Sequence, residues 1–445
     1  MQLLSCWAIL LLLMKSKVTG ARAAALYVLS RCRRFDAWSP QVLAKAVELY
    51  HLDERDSALC SRLCLGVLQN SALMDYYIGC YSSTPASRME PQVLDILRIG
   101  VCQLLFMDRI PVNAAVNESV ELAKKTNAKA AGLVNAVLRR VAENRGNLPA
   151  IPGEGTAEEL SVRYSHPIWM CEKIVAEHGY EFAKAFFEAN NQEPVVTVSV
   201  NACKISRDDY YDLLVQAGYS AVKSENAPYS IHIPDAGNIT KLPGFHDGLF
   251  FVQDEAAAMA VGFAMPSVGM KVLDGCSAPG GKSMLSAVYM MNQGSITSCD
   301  LHEKKLSRIH ENASRLGIDI IQTQAMDGSK PKEEFRDAFD LVIADVPCSG
   351  LGVIRKKPEI RYKPQSDVER LPEVQLRILR GLASCVKPGG KLLYSTCTIL
   401  REENENVVDA FLKEGHDFAV EDMQTLWPHK NGTDGFFICR MKRND

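Results

Sequence analysis

Lys271-Val272-Leu273-Asp274-Gly275-Cys276-Ser277-Ala278-Pro279-Gly280-Gly281-Lys282-Ser283 is the stretch on which the reading of this chain turns. A short apolar run, Val272 to Asp274, reads as a strand that ends on an acid. Small residues follow, then a helix from Lys282 to Met291. Small residues allow a backbone to come close to a ligand, and the first N–H groups of a helix have no partner within it.

The same alternation continues downstream. Ser295 to Cys299 reads as a strand, Glu303 to Leu316 as a helix, and Ile320 to Gln324 and Leu341 to Ala344 as strands. Pro372 to Val386 is a helix, Lys391 to Ser395 a strand, Asn404 to Lys413 a helix and Gly435 to Met441 a late strand. Strands alternating with helices predict an α/β, Rossmann-like domain: an open, mostly parallel sheet with helices on both faces. Such sheets bind ligands beyond the carboxyl ends of their strands, so the residues just after each strand carry the most weight.

Upstream the pattern differs. Residues 21–145 read as one helix after another, an all-α domain punctuated by Pro85, Pro91 and Pro111. A Pro/Gly-rich linker covers 146–160. Residues 161–240 read as a small α+β domain. In it a helical stretch, Pro167 to Asn190, precedes strands Val195–Val200, Ser220–Lys223 and Tyr229–Ile233 and a helix Arg207–Ala217. That unit resembles part of an RNA-recognition-type fold, with too few aromatics to argue base stacking. The α/β domain then spans 241–445.

Residues 1–20 form an apolar extension. Leu3 to Met14 is shorter than the roughly 20 residues a membrane span requires, and no basic segment precedes it as in a secretory signal. A membrane role is not expected, and the cytoplasm is the expected compartment. The chain has 445 residues, 47% hydrophobic and 23% charged, enough for several packed domains. Its net charge of −3 is uneven: residues 1–150 hold 18 Lys+Arg against 12 Asp+Glu, and the remainder 32 against 41. A basic front on an acidic remainder fits a polyanion-binding module beside a second function. The 14 cysteines form no CxxC pair, so no metal site is expected and free thiols are the default.

Two cofactor classes compete for the glycine turn. A phosphate-binding loop requires its first glycine five positions before the Gly281 of Gly281-Lys282-Ser283, but that place holds Cys276, with Gly275 one position early, and Pro279 stiffens the turn. Asp300, ending the second strand, stands about 20 residues beyond the turn, where a carboxylate can bind the hydroxyls of a ribose. Asp327 follows the third strand and is placed to reach an adenine edge. A glycine turn with two carboxylates suits a cationic nucleoside better than a triphosphate.

The next two strands run into Asp345-Val346-Pro347-Cys348 and into Cys397-Thr398. Two thiols thus stand past strand ends on the cofactor edge. Thiolate addition at C6 of a pyrimidine turns the poorly nucleophilic C5 into an enamine-like carbon able to attack a methyl sulfonium. A carboxylic acid that protonates N3 aids the addition, and Asp345 is the candidate. A second thiol can assist when the first is expelled.

Cys276-Ser-Ala-Pro-Gly-Gly-Lys282, Asp345-Val-Pro-Cys348-Ser-Gly-Leu-Gly-Val-Ile-Arg355 and Tyr394-Ser-Thr-Cys397-Thr closely resemble the Sun (nucleolar-protein-type) family of RNA cytosine-5 methyltransferases, best its bacterial 16S rRNA branch. The likeness covers nearly all of the chain from about Ala23. Its front helices, with Gly132-Leu-Val-Asn-Ala-Val-Leu-Arg139, look like that branch's NusB-like RNA-binding domain. The resemblance implies S-adenosylmethionine held by Cys276, Ser277, Ala278, Pro279, Gly280, Gly281, Lys282, Asp300, Asp327 and Asp345. It implies Cys397 as nucleophile, Cys348 in product release, and 16S rRNA as substrate. Val346 stands where the family usually has Ala. The same chemistry on tRNA or another RNA is the nearest alternative, and a non-catalytic RNA-binding factor is one of another class. Arg355, Lys356, Lys357, Arg361 and Lys363 are expected to contact RNA phosphates.

Overall fold

The computed structural model describes residues 20–35 and 39–445, so apart from Gly20 the apolar extension lies outside the described residues. The chain divides into two compact units. One comprises the residues up to Asn191 together with Lys357–Tyr362, the other Gln192–Lys356 together with Lys363–Asp445.

The first unit is helical. Its central helix, Pro91–Phe106, starts with proline in its first turn, where no backbone donor is lost, and is buried on nearly every side. Around it pack Ala21–Phe35, Glu54–Tyr81, Val112–Thr126 and Ala131–Glu143. Asp53 caps the longest helix by accepting from Asp56 N at 2.7 Å. The one buried acid of the central helix, Asp95, is paired with Arg33 and Arg98. Helices Ala157–Tyr164, Ile168–His178 and Tyr180–Asn190 also cluster with this unit. Residues 161–190, the helical opening of the small α+β domain, fall in this unit, and the strands of that domain fall in the second.

The second unit holds two sheets. The smaller is antiparallel, in the order β2 (Val222–Lys223), β3 (Ser230–Ile233), β1 (Val196–Val200), β4 (Phe250–Val252), with helix Arg207–Gln216 on it. The larger has seven strands: β5 (Lys271–Asp274), β6 (Ser295–Asp300), β7 (Ile321–Ala325), β8 (Phe339–Asp345), β9 (Val386–Thr396), β10 (Phe418–Leu426) and β11 (Phe436–Arg443). Their order is β10-β11-β9-β8-β5-β6-β7. Strands β5 to β9 are parallel, and β11 runs antiparallel between β9 and β10. The order reverses between β5 and β8, which opens a crevice at their carboxyl ends.

Strand β10 is absent from the sequence reading. It is an edge strand with most of its side chains exposed, so Phe418-Ala-Val-Glu-Asp-Met-Gln-Thr-Leu426 shows no apolar alternation. Among the described residues no helix is long and apolar enough to cross a membrane.

Candidate active site

Four elements meet at the β5–β8 crevice: the turn after β5, and the residues following β6, β8 and β9. Ser277 draws the turn against β6, its N and Oγ donating to Cys299 O at 2.7 and 2.9 Å. Gly280 has φ +103°, a conformation that strains any residue with a Cβ, and from it the helix Gly281–Tyr289 starts. Beneath the turn Asp274 is fully buried and accepts from Ser283 Oγ at 2.7 Å. Burial pushes its carboxyl up to about 7.

The donor set of the crevice fits a cationic nucleoside. Asp300 closes β6, and both His302 N (2.9 Å) and Lys305 Nζ (3.6 Å) approach its Oδ1. Asp327 lies beyond β7, exposed, and accepts from Ser329 N and Oγ at 2.9 and 2.7 Å. Those donors hold its carboxyl below the usual range. Lys282, at the helix start, turns toward β8 and donates to Asp345 Oδ2 at 2.6 Å. Ser395, paired with Asp345 in the β8–β9 register, donates to its Oδ1 at 2.8 Å. Both oxygens of Asp345 therefore accept, which is the arrangement of a carboxylate. Asp345, the candidate for protonating N3, is thus ion-paired with Lys282. Burial lowers the affinity of Lys282 for its proton, but the Asp345 charge outweighs it and the pKa is raised.

Cys348 and Cys397 come together. Their Sγ atoms are 3.0 Å apart, and Cys397 N donates to Cys348 Sγ at 3.2 Å. The hydrogen bond to Cys397 and burial hold the Cys348 thiol well above its usual range. The loop after Cys348 is fastened from several sides. Gly352 N donates to Cys397 O at 3.0 Å and its carbonyl accepts from Gly435 N at 2.8 Å. A Cβ on Gly352 would stand 1.9 Å from Gly435 O, so only glycine fits.

The basic run 355–363 does not present itself as expected. Arg355 is paired with Asp434, which is fully buried, and Lys356 bridges Asp254 and Asp434. Lys363 Nζ donates to Ser349 O at 2.8 Å. Arg361, 3% exposed, lies in the helical unit and donates to the carbonyls of Gln69, Tyr164 and Ser165 and to Asn191 Oδ1. These cations are spent on the fold because buried acids and carbonyls far away in sequence need them.

Sequence reasoning missed Ser395, Gln375, Glu403 and Asn404. Asn404 accepts from Thr396 Oγ1 at 2.6 Å and donates to Thr398 O at 3.1 Å, bracing Cys397 on both sides. The acidic run Glu402-Glu403-Asn404-Glu405 was the available signal, but in a sequence it reads as a solvated helix start.

The sequence matches the family described as 16S rRNA methyltransferase RsmB/F over residues 264–442. It matches the NusB family over 19–143 and a RsmF/B-like, ferredoxin-like domain over 166–240. The "Probable ribosomal RNA small subunit methyltransferase B" of Bacillus subtilis (strain 168) is 36% identical over 449 residues, covering 96% of this chain and 99% of the relative. The "Ribosomal RNA small subunit methyltransferase B" of Escherichia coli O127:H6 is 32% identical over 404 residues, covering 88% and 91%. Among solved structures, that of PH0851 superposes with a TM-score of 0.79 at 25% identity over 95% of this chain and 98% of its own. A methyltransferase homolog from Pyrococcus horikoshii gives 0.59 at 25% identity over 64% and 98%.

Proposed function

The chain belongs to the 16S rRNA methyltransferase RsmB/F family, and on that premise we propose that it methylates C5 of a cytosine in 16S rRNA through a transient bond from Cys397 Sγ to C6 of the base. It is an S-adenosylmethionine-dependent rRNA methyltransferase. The cytosine position and the cysteine bond are our reading, as is action in the cytoplasm. The observation that carries it is the 3.0 Å approach of two thiols beside the Lys282–Asp345 pair.

S-adenosylmethionine, when bound, supplies an electrophilic methyl group on sulfonium sulfur. The turn Cys276 to Lys282 would hold it, with Asp300 on the ribose, Asp327 at the adenine and Asp345 beside the reacting end. The target cytosine must leave any stack to enter the crevice. Cys397 Sγ adds to C6 and a proton passes to N3 from the Lys282 ammonium through Asp345. That proton prevents charge from building up on the ring as C5 becomes nucleophilic. After transfer the C5 proton is lost to solvent, the Cys397–C6 bond breaks with the sulfur leaving as a thiolate, and N3 returns its proton to the Asp345–Lys282 pair. Cys348, whose Sγ lies 3.0 Å from that of Cys397, keeps its proton and donates a hydrogen bond to the departing sulfur.

Incubation with methyl-labelled S-adenosylmethionine and unmodified small-subunit rRNA, followed by digestion to nucleosides, tests the reading. Label is expected in 5-methylcytidine. Label in another nucleoside removes the C5 assignment, and label only in tRNA removes 16S rRNA as substrate.

A further inference from the structure

Glu403 has no part in the steps above, yet its side chain is fully buried. Its Oε2 accepts from Ser349 N at 2.8 Å and from Gln375 Nε2 at 2.8 Å. The same Gln375 amide donates to Pro347 O at 3.0 Å. The carboxylate thus grips the residues on either side of Cys348. Its backbone carbonyl accepts from Tyr394 Oη at 2.6 Å, on the strand that delivers Cys397. Ser349 Oγ donates to Thr398 Oγ1 at 2.8 Å and joins the residues that follow the two cysteines.

Burying a carboxylate is costly unless cations or donors compensate. Among the described residues no Lys, Arg or His pairs with Glu403, and its Oε1 has no hydrogen-bond partner. Burial pushes its carboxyl up, opposed by the bonds from Ser349 and Gln375. Among the charged groups near the two thiols are Glu403, which follows Cys397 and whose carboxylate is bonded to the Cys348 loop, and the Lys282–Asp345 pair.

We propose that Glu403 is a positioning residue that locks the two cysteine loops in contact and keeps the proton of the thiol pair on Cys348, so that the negative charge falls on Cys397. A carboxylate tied to the Cys348 loop opposes a second negative charge there. The Lys282 ammonium, which responds to the charge of Cys397, favours one on Cys397. The direction of the Cys348 shift agrees, with Glu403 among its causes after Cys397 and burial. The inference rests on Cys397 being the nucleophile.

The test uses the full chain without RNA, treated with limiting iodoacetamide, and locates the alkylated cysteine by peptide mass spectrometry. Wild type is expected to favour Cys397 over Cys348 by at least about tenfold, since the thiolate is the reactive form. Glu403→Gln, which keeps shape and loses charge, is expected to narrow that preference to within about threefold and to lower kcat at least about tenfold, with KM for rRNA and Kd for S-adenosylmethionine within about twofold. Glu403→Asp retains the charge and is expected to retain the preference. A Glu403→Gln protein with wild-type selectivity and kcat overturns the proposal alone, as does a Glu403→Asp protein that loses the preference. A wild type alkylated mainly at Cys348 overturns the nucleophile reading with it.

Discussion

Asp345 and Lys282, 63 residues apart in sequence, are joined by a 2.6 Å bond between the carboxyl end of β8 and the start of the helix that follows β5. That bond brings the proton-bearing group to the edge where the two cysteines stand. It also ties Asp345, the candidate acid, to a buried cation.

Asp345→Asn leaves the Lys282 ammonium buried without its counter-charge. Methyl transfer should fall on the order of 100-fold or more, as for loss of a general acid–base group. Kd for S-adenosylmethionine measured on the same protein should change far less. Equal losses in both would assign Asp345 to cofactor binding alone.

Asp300→Ala removes the carboxylate at the end of β6. Titration calorimetry should show Kd for S-adenosylmethionine rising about tenfold, equivalent to about 1.4 kcal/mol. An unchanged Kd takes Asp300 out of the cofactor site.

Arg361→Ala separates the two readings of the basic run. Removing the guanidinium orphans buried carbonyls, and burial has already pushed its pKa down to about 10. Stability to urea should drop by about 3 kcal/mol. The slope of log Kd for RNA against log salt should stay as in wild type, whereas a phosphate contact would reduce it by about one.

Asp274 makes stability depend on pH. Its carboxyl ordinarily titrates near 3.8 and does so at about 7 in the folded chain. Between those values the folded state holds a proton that the unfolded chain has released. The stability it contributes is therefore fully present below 3.8 and is lost as pH rises through about 7. Urea unfolding should show wild type losing stability, on the order of 4 kcal/mol at most, across that window relative to Asp274→Asn. Parallel pH profiles would contradict the buried-acid account.

Much of the α/β unit is legible in the sequence because its central strands are buried on both faces. Val272 to Asp274 and Leu341 to Ala344 read as apolar runs, and the residues ending each run fall at the crevice. The thiols were legible for the same reason, as Cys348 and Cys397 follow such strands. Long-range pairing was not. Nothing near Arg355 or Lys356 in sequence announces Asp434 or Asp254, so a run of cations there reads as a surface for phosphates. Glu403 and Asn404 sit in an acidic stretch whose burial depends on Ser349, Gln375 and Thr398, which arrive from other loops. Edge strand β10 faces solvent and leaves no apolar period to detect.

Cys348→Ala offers the most direct test of the covalent route. This protein, incubated with rRNA and S-adenosylmethionine, should accumulate an RNA–protein adduct that survives denaturing electrophoresis. Nuclease and protease digestion followed by mass spectrometry should then place a methylated cytidine on the peptide that contains Cys397, and Cys397→Ala should form no adduct. Absence of any adduct, or a nucleotide attached to another residue, would contradict the account.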